Sequence, residues 1–228
     1  MEILGLEKVS FVDYEGKICA TIFTGGCNFR CPFCHNAALV NKETVPYTEE
    51  YVLAYLAERK SLLDAVTISG GEPCLQPDLP MFAKRIKQLG YPIKLDTNGT
   101  FPQVLENLIK EKLIDYVAMD IKNASTHYQA ISGVVSPQID NIKKSLALLK
   151  ENGVPYELRT TLVEGFHTTE SICQMANELA GENTLYLQKF VDSGGCLGAN
   201  LNAVSKAEAQ KFQATLKQHI QNVYLRGY

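Results

Sequence analysis

The sequence predicts an α/β fold, an open partial (β/α)6 barrel of parallel strands with outer helices. Short β-rich runs alternate with helical runs along the chain, which is typical of parallel βαβ units. These runs are too few for a closed eight-stranded barrel. The 228 residues fit a single domain, residues 1–228, because single α/β domains commonly reach about 250 residues.

The predicted strands are short apolar or β-branched runs, most of which stop at glycine or at a charged residue. In chain order they cover residues 18–23, 65–69, 93–96, 116–121, 156–161, 184–190 and 223–226. The barrel core therefore spans about residues 18–190. A C-terminal helix and strand, residues 205–228, follow it.

The predicted helices lie between these strands. They cover residues 48–59, 78–89, 102–111, 139–151, 168–179 and 205–219. Thr48 suits an N-cap because two glutamates follow it, and Gly90 suits a helix end. Ser205 and Glu208 have the spacing of a capping box. Start and stop signals thus agree with the apolar periodicity.

Composition and charge exclude several classes of function. A net charge of −3 gives no excess of positive charge for binding nucleic acid or an anionic membrane. The first residues lack a signal-peptide pattern, and no apolar run is long enough to cross a membrane. Seven cysteines without a signal favour a reducing compartment, so we expect a cytoplasmic protein.

Three cysteines in residues 25–36 form the most informative motif. Cys27, Cys31 and Cys34 have the spacing Cys-x3-Cys-x2-Cys. A 4Fe–4S cluster normally takes four cysteine ligands, so three would leave one iron open for another ligand. The alternative, structural zinc, needs four ligands, usually from paired knuckles. The other four cysteines are scattered singly, so the spacing favours the cluster. We expect a protein that carries such a cluster to work in an anaerobic setting.

Unusual residues follow the ends of the other predicted strands. Residues 70–73 read Gly-Gly-Glu-Pro and residues 96–99 read Asp-Thr-Asn-Gly. Functional loops of such barrels follow the carboxyl ends of the strands. The sequence therefore predicts a site built from these loops. In contrast, His127, His167 and His219 have no ligand spacing, and we expect them in surface or loop positions.

The cysteine loop and the two turns at 70–73 and 96–99 together resemble the radical S-adenosylmethionine (radical SAM) enzymes. Within them the chain is similar to the activating enzymes of glycyl radical enzymes, over roughly residues 10–190. The resemblance implies a 4Fe–4S cluster that reductively cleaves S-adenosylmethionine (SAM). The resulting 5′-deoxyadenosyl radical would abstract a hydrogen atom from a glycine of a partner enzyme.

The resemblance also implies which residues bind the cofactor. They are Phe33, His35, Gly70, Gly71, Glu72, Asp96, Asn98, Asp120, Lys122, Arg159, Gln188 and Phe190. Gly70 and Gly71 would let backbone carbonyls reach the SAM amine, and Lys122 would meet its carboxylate. Asp96 and Asp120 would share a monovalent cation, Na⁺ or K⁺, because two close carboxylates repel one another without one.

The adenine of SAM would lie among aromatic side chains. The family uses an aromatic residue of the cluster loop there, here Phe33, and Gln188 and Phe190 would bound the ring from the last strand of the core. The formate-lyase activator has a histidine in this neighbourhood, so the Phe190 contact departs from its pattern.

Residues 13–18, Asp-Tyr-Glu-Gly-Lys-Ile, resemble the lead-in of the long form of anaerobic ribonucleoside-triphosphate reductase activating proteins, with Glu15 in place of proline. We therefore expect anaerobic ribonucleotide reductase as partner, and flavodoxin or ferredoxin as electron donor. An activator of pyruvate formate-lyase or of another glycyl radical enzyme is the first alternative. The others are 7-carboxy-7-deazaguanine synthase, whose cluster loop typically ends in Cys-Asp, and a non-enzymatic iron–sulfur or zinc carrier or interaction protein.

Overall fold

A computed structural model describes residues 1–192 and 194–228. Within these residues eight strands share one sheet in the order β1 to β8. They are β1 (Ile3–Ser10), β2 (Cys19–Thr24), β3 (Ala65–Gly70), β4 (Ile93–Thr97), β5 (Tyr116–Asp120), β6 (Tyr156–Leu162), β7 (Thr184–Lys189) and β8 (Asn222–Arg226). The seven predicted strands are confirmed, with bounds that shift by at most one residue.

The sheet is mostly parallel and has two edges, so it is open. β2 pairs in parallel with β3, and β3 with β4. β6 pairs in parallel with β7, and β7 with β8. The α/β class and the open parallel sheet are thus confirmed, but the sheet has more strands than the six predicted units supply.

The strand that the sequence did not predict is β1, which pairs antiparallel with β2. Ile3 and Leu4 are buried, whereas Glu7, Lys8 and Val9 are exposed. This pattern lacks the alternation that marks a half-buried strand, because β1 is an edge strand with an irregular register.

The helices follow the strands as expected. They are α1 (Ala37–Val40), α2 (Glu49–Glu58), α3 (Leu79–Gln88), α4 (Pro102–Lys110), α5 (Tyr128–Ser132), α6 (Ile139–Asn152), α7 (Thr169–Glu178) and α8 (Lys206–Leu216). Thr48 caps α2 by accepting a hydrogen bond from the Tyr51 N–H at 3.2 Å. Ser205 caps α8 through the Glu208 N–H at 3.2 Å. No described helix is long and apolar enough to cross a membrane.

The chain forms two compact units, each with its own buried residues. The first comprises Met1–Asn28, Ala38–Ala118 and Asp140–Pro155, and the second comprises Phe29–Ala37, Met119–Ile139 and Tyr156–Tyr228. Ile22, Ile68, Phe82, Leu95 and Leu105 are buried in the first unit. Met119, Leu158, Ile172, Leu187 and Phe212 are buried in the second. Each such side chain contributes about 2 kcal/mol through burial. That residues 1–228 act as a single domain stays a prediction.

Candidate functional site

In the first unit, the Gly-Gly-Glu-Pro turn lies against the end of β2. The Gly71 N–H donates to the Thr24 carbonyl at 3.0 Å, and the Glu72 N–H donates to the Gly26 carbonyl at 2.9 Å. Gly70 has a φ of +114°, and a Cβ there would overlap the Thr24 backbone. A Cβ on Gly71 would overlap the Gly26 carbonyl oxygen. Both glycines are thus required for close contact between backbones just before Cys27.

Glu72 connects this turn to the one that follows β4. Its side chain is fully buried and accepts hydrogen bonds from the Thr97 hydroxyl at 2.8 Å and from the Asn98 N–H at 2.7 Å. The Cys74 N–H donates to it at 3.0 Å. Burial raises the pKa of Glu72, and these donors oppose the increase. Glu72 therefore braces two predicted site turns against each other.

A polar network surrounds Cys27. The Asn98 side-chain amide donates to the side-chain oxygen Oδ1 of Asn28 at 2.8 Å, and the Asn28 side-chain amide donates to the Thr100 hydroxyl at 2.9 Å. The amide nitrogen of Asn98 lies 4.0 Å from the Cys27 sulfur. Sequence reasoning selected Asn98 but missed Asn28 and Thr100. Asn28 directly follows Cys27, so its position next to a predicted ligand was an available signal.

Asp96 also lies in the first unit, on β4. One oxygen accepts from the Ser69 hydroxyl at 3.0 Å. The other forms an ion pair with the Lys94 ammonium at 3.4 Å. Both side chains of this pair are largely buried. The sequence did not single out Lys94, because a lysine in a strand is usually exposed.

In the second unit, hydrogen bonds fix the loop that carries Cys31 and Cys34. The Cys34 N–H donates to the Cys31 carbonyl at 3.0 Å, which closes a turn. The Gly198 N–H donates to the Pro32 carbonyl at 2.7 Å. Burial raises the pKa of the Cys31 thiol to about 11, against the opposing effect of the Lys122 charge.

Asp120, Lys122 and Arg159 form a charged group in the second unit. Asp120 accepts from the Lys122 ammonium at 3.0 Å and from the Arg159 Nε at 2.9 Å. Partial burial alone would raise the pKa of Asp120, but the two cations outweigh it and lower the pKa to about 2. Burial alone would lower the pKa of Lys122, but Asp120 raises it above its usual value. All three groups are therefore charged at neutral pH.

Two neighbours hold the backbone of Lys122. Its N–H donates to the Tyr128 hydroxyl at 3.0 Å, and its carbonyl lies 2.9 Å from His167 Nε2. The Val163 N–H donates to Nδ1 of the same imidazole at 3.0 Å, so Nε2 carries the proton. Burial lowers the pKa of His167. His167 lies in the loop between β6 and α7, within the predicted surface or loop positions, but its imidazole is buried and supports the Lys122 backbone.

The predicted adenine contacts also lie in the second unit. The His35 and Phe190 rings stack with centroids 5.4 Å apart. Phe33 and Phe190 are both buried, and the Lys122 ammonium lies 6.0 Å from the Phe33 ring centroid. Gln188 lies on β7, opposite Arg226 of β8. The structure thus brings His35 together with Phe190, and Phe33 together with Lys122.

The three loop thiols fit an iron–sulfur cluster by their chemistry. Cys27 belongs to the first unit, and Cys31 and Cys34 belong to the second. Across the described residues, no three His, Cys, Asp or Glu side chains are arranged to hold a single metal ion. In a 4Fe–4S cube each thiolate binds a different iron, so the sulfurs need not converge on one point. Three thiols within eight residues, none of them in a disulfide, are ligands of the kind that such a cluster takes.

Comparison with known proteins identifies the family. The model of the radical SAM superfamily matches residues 21–178. A Methanocaldococcus jannaschii protein that carries the name of a glycyl-radical enzyme activating enzyme is 35% identical over 230 residues, 98% of this chain and 95% of the relative. A pyruvate formate-lyase-activating enzyme of Clostridium pasteurianum is 31% identical over 186 residues, 77% of this chain and 74% of that enzyme.

A solved structure has the same fold. A radical SAM methyltransferase from Sphaerobacter thermophilus matches with a TM-score of 0.74 at 16% identity, over 96% of this chain and 69% of that one. At this identity the likeness concerns the fold alone. The residues matched by the superfamily model include the cysteine loop and the turns at 70–73 and 96–99. The chain is therefore an enzyme of the radical SAM superfamily, whose chemistry implies a 4Fe–4S cluster and S-adenosylmethionine.

Proposed function

We propose that this enzyme activates a glycyl radical enzyme, most specifically an anaerobic ribonucleotide reductase, by taking a hydrogen atom from one of its glycines. The observation that carries the proposal is the similarity to the M. jannaschii relative, which runs along nearly the whole of both chains. The Cys-x3-Cys-x2-Cys loop lies within the aligned region and supplies three sulfur ligands. An activating enzyme therefore accounts for both the loop and the length of the chain.

In this proposal Cys27, Cys31 and Cys34 hold the cluster. When bound, the cluster supplies the electron that cleaves SAM, and the 5′ carbon of SAM then takes the hydrogen atom. A thiol must lose its proton to bind iron, and the raised pKa of Cys31 makes that loss depend on the metal. Cluster assembly should therefore release protons.

Lys122 and Arg159 are the proposed contacts for the SAM carboxylate. Asp120 pairs with Lys122 through one carboxylate oxygen and with Arg159 through the other, which orients both cations and leaves the group with a net positive charge. Such a pair of cations suits a carboxylate ligand. Gly70, Gly71 and the braced Glu72 keep the backbone of the first unit in a shape that a side chain would disturb.

The remaining proposed contacts surround the adenosine. Phe33 and the stacked His35 and Phe190 offer apolar and aromatic surface, and Gln188 offers an amide at the end of β7. Asn98 offers an amide beside Cys27. Bases stack on aromatic side chains and are recognised by polar groups at their edges. The Na⁺ or K⁺ that the resemblance implies between Asp96 and Asp120 is untested, and the lysine and arginine side chains that already pair with these carboxylates count against it.

The choice of partner rests on residues 13–18, whose sequence favours a ribonucleotide reductase activator. The runner-up is an activator of pyruvate formate-lyase, which the similarity to the C. pasteurianum enzyme favours. We propose flavodoxin or ferredoxin as the electron donor. We also propose a reducing, cytoplasmic setting, which is supported by the seven described cysteines, none of which is in a disulfide.

The test is an EPR spectrum of the anaerobically reconstituted, reduced enzyme incubated with SAM and the anaerobic ribonucleotide reductase of the same organism. The expected result is a glycyl doublet on the reductase. Cys34→Ala should abolish it, whereas Cys173→Ala, at an exposed cysteine outside the loop, should leave it unchanged. A doublet on pyruvate formate-lyase instead would support the runner-up.

Two other outcomes would contradict the proposal. If 5′-deoxyadenosine accumulates and neither partner gains a radical, a small deazapurine precursor becomes the substrate to test. If a complete cluster forms and SAM is not cleaved, the protein is an iron–sulfur carrier or interaction protein.

A further inference from the structure

Lys94 is a buried lysine near the start of β4, in the first unit. It is 4% exposed. Side chains two residues apart on a strand point to the same face, so Lys94 and Asp96 share one face of β4. Buried lysines are rare unless they are paired with an anion or with several acceptors. A lysine at this position therefore calls for an explanation.

Lys94 and Asp96 contact each other and two segments that are distant in the sequence. The Lys94 ammonium donates to the backbone carbonyl of Asp13 at 2.5 Å and lies 3.4 Å from Asp96 Oδ1. The other oxygen of Asp96 accepts from the Ser69 hydroxyl of β3. The side chains of Lys94 and Asp96 are 6% and 14% exposed, so solvent screens this pair little. Asp96 thus has a fixed direction and a permanent positive neighbour.

The Asp13 segment is itself held in place. The Asp13 carboxylate accepts from the Thr21 hydroxyl of β2 at 2.6 Å, so the carboxylate faces Thr21 while the carbonyl faces Lys94. Lys94 is therefore anchored next to Asp96. Such an anchored ammonium supplies the positive charge that a monovalent metal ion would otherwise supply to this carboxylate.

We propose that Lys94 is the built-in counter-cation of Asp96, a positioning residue that lets this carboxylate serve the SAM site without Na⁺ or K⁺. The proposal rests on the proposed function, in which Asp96 lies at the cofactor site. An ammonium and a potassium ion carry the same charge, but the ammonium is covalently attached and cannot dissociate. Binding of SAM should therefore be insensitive to the identity of the monovalent cation in solution.

The first test measures SAM binding to the reconstituted enzyme by equilibrium dialysis in choline, sodium or potassium chloride at equal ionic strength. The wild type should bind with the same Kd in all three salts, within twofold. Lys94→Met should bind at least tenfold more weakly in choline chloride and should regain part of that loss in sodium or potassium chloride. Lys110→Met, which removes an exposed lysine paired with Glu106, should behave as the wild type.

Either of two results would overturn the proposal. One is a wild type whose SAM affinity depends on Na⁺ or K⁺, because the site would then need a metal ion. The other is a folded Lys94→Met variant whose affinity equals that of the wild type, or is lower by the same factor in every salt. In the latter case Lys94 would be a structural residue only.

A second test needs neither cluster nor SAM, so its result is independent of the proposed function. Lys94→Met should lower the thermal unfolding midpoint, and adding Asp96→Asn should recover at least half of that loss, because the buried carboxylate is then no longer unpaired. If the double variant instead lost as much in its unfolding midpoint as the two single variants together, Lys94 and Asp96 would not be a stabilising pair. If the salt pattern and the recovery are both found and no partner gains a glycyl radical, the proposed function fails and the role of Lys94 stands.

Discussion

Two carboxylates of this enzyme, one in each unit, are stabilised in opposite ways. Glu72 accepts hydrogen bonds from two backbone N–H groups and a hydroxyl, whereas Asp120 accepts from the cationic side chains of Lys122 and Arg159. Burial raises the pKa of Glu72, and the neighbouring charges lower the pKa of Asp120 to about 2. Neutral donors thus do not fully offset the increase in pKa that burial causes, whereas cations more than offset it.

The difference separates a structural carboxylate from an electrostatic one. The donors of Glu72 belong to turns, so Glu72 determines backbone shape. The partners of Asp120 are side chains with positive charge of their own, so Asp120 determines where that charge points. Glu72 should therefore matter mainly for stability, and Asp120 mainly for the charge of the site.

The largest effect is expected from Glu72→Ala. The substitution leaves the N–H groups of Cys74 and Asn98 and the hydroxyl of Thr97 without their acceptor. At about 1–3 kcal/mol for each buried donor, we expect the free energy of unfolding to fall by about 4 kcal/mol after partial relaxation. Urea unfolding followed by circular dichroism measures it.

The matched control is Glu106→Ala, at a half-exposed glutamate, which should change the free energy of unfolding by less than about 0.5 kcal/mol. A loss below about 1 kcal/mol in Glu72→Ala would mean that the two turns hold together without this brace.

A smaller effect is expected from a change in pH. Lowering the pH should change the stability contributed by Asp120 and that contributed by Glu72 in opposite directions. The lowered pKa of Asp120 gives stability that is present above the unfolded pKa, near 3.9, and is lost as pH falls toward 2. The stability difference between the wild type and Asp120→Asn should therefore narrow by about 1 kcal/mol from pH 7 to pH 3. The raised pKa of Glu72 gives stability that is present at low pH and is lost as pH rises through it.

The difference in the free energy of unfolding between the wild type and Glu72→Gln should therefore increase as the pH falls from 7 to 3. Urea unfolding of the three proteins at pH 7, 5 and 3 provides both differences. Two differences that change in the same direction would show that the two carboxylates are not stabilised in opposite ways.

An effect of about the same size is expected from Tyr128→Phe. The Lys122 N–H then loses its acceptor, which should cost about 1 kcal/mol in the free energy of unfolding. Tyr224→Phe, at a half-exposed tyrosine, is the control and should be nearly neutral. An unchanged stability in Tyr128→Phe would indicate that the Lys122 backbone does not depend on the tyrosine hydroxyl.

Several features of the site could be predicted because they are local in the chain. The spacing of the three cysteines, the paired glycines at 70–71 and the cap at Thr48 involve residues within a few positions of one another. The sequence explained only part of why glycine is needed at these two positions, however. They permit close contact with the backbone of Thr24 and Gly26, and that partner lies far away in the sequence.

Other features could not be predicted because their partners are distant. Lys94 contacts the Asp13 carbonyl across 81 positions, and His167 contacts the Lys122 carbonyl across 45. Nothing near either residue in the sequence indicates such a partner. A lysine in a strand and an isolated histidine are most often exposed, so the default expectation fails where folding buries them.

The sequence by itself therefore determined the α/β class, most strand and helix bounds, the cysteine loop and the order of the site turns. These depend on periodicity, caps and spacing, which act over a few residues. The tertiary structure alone decided that β1 is an edge strand, that Glu72 is a brace, and that Asp96 and Asp120 have lysine and arginine partners. Those outcomes depend on which buried polar groups meet when strands pack, because a buried charge or donor must find its partner in space rather than along the chain.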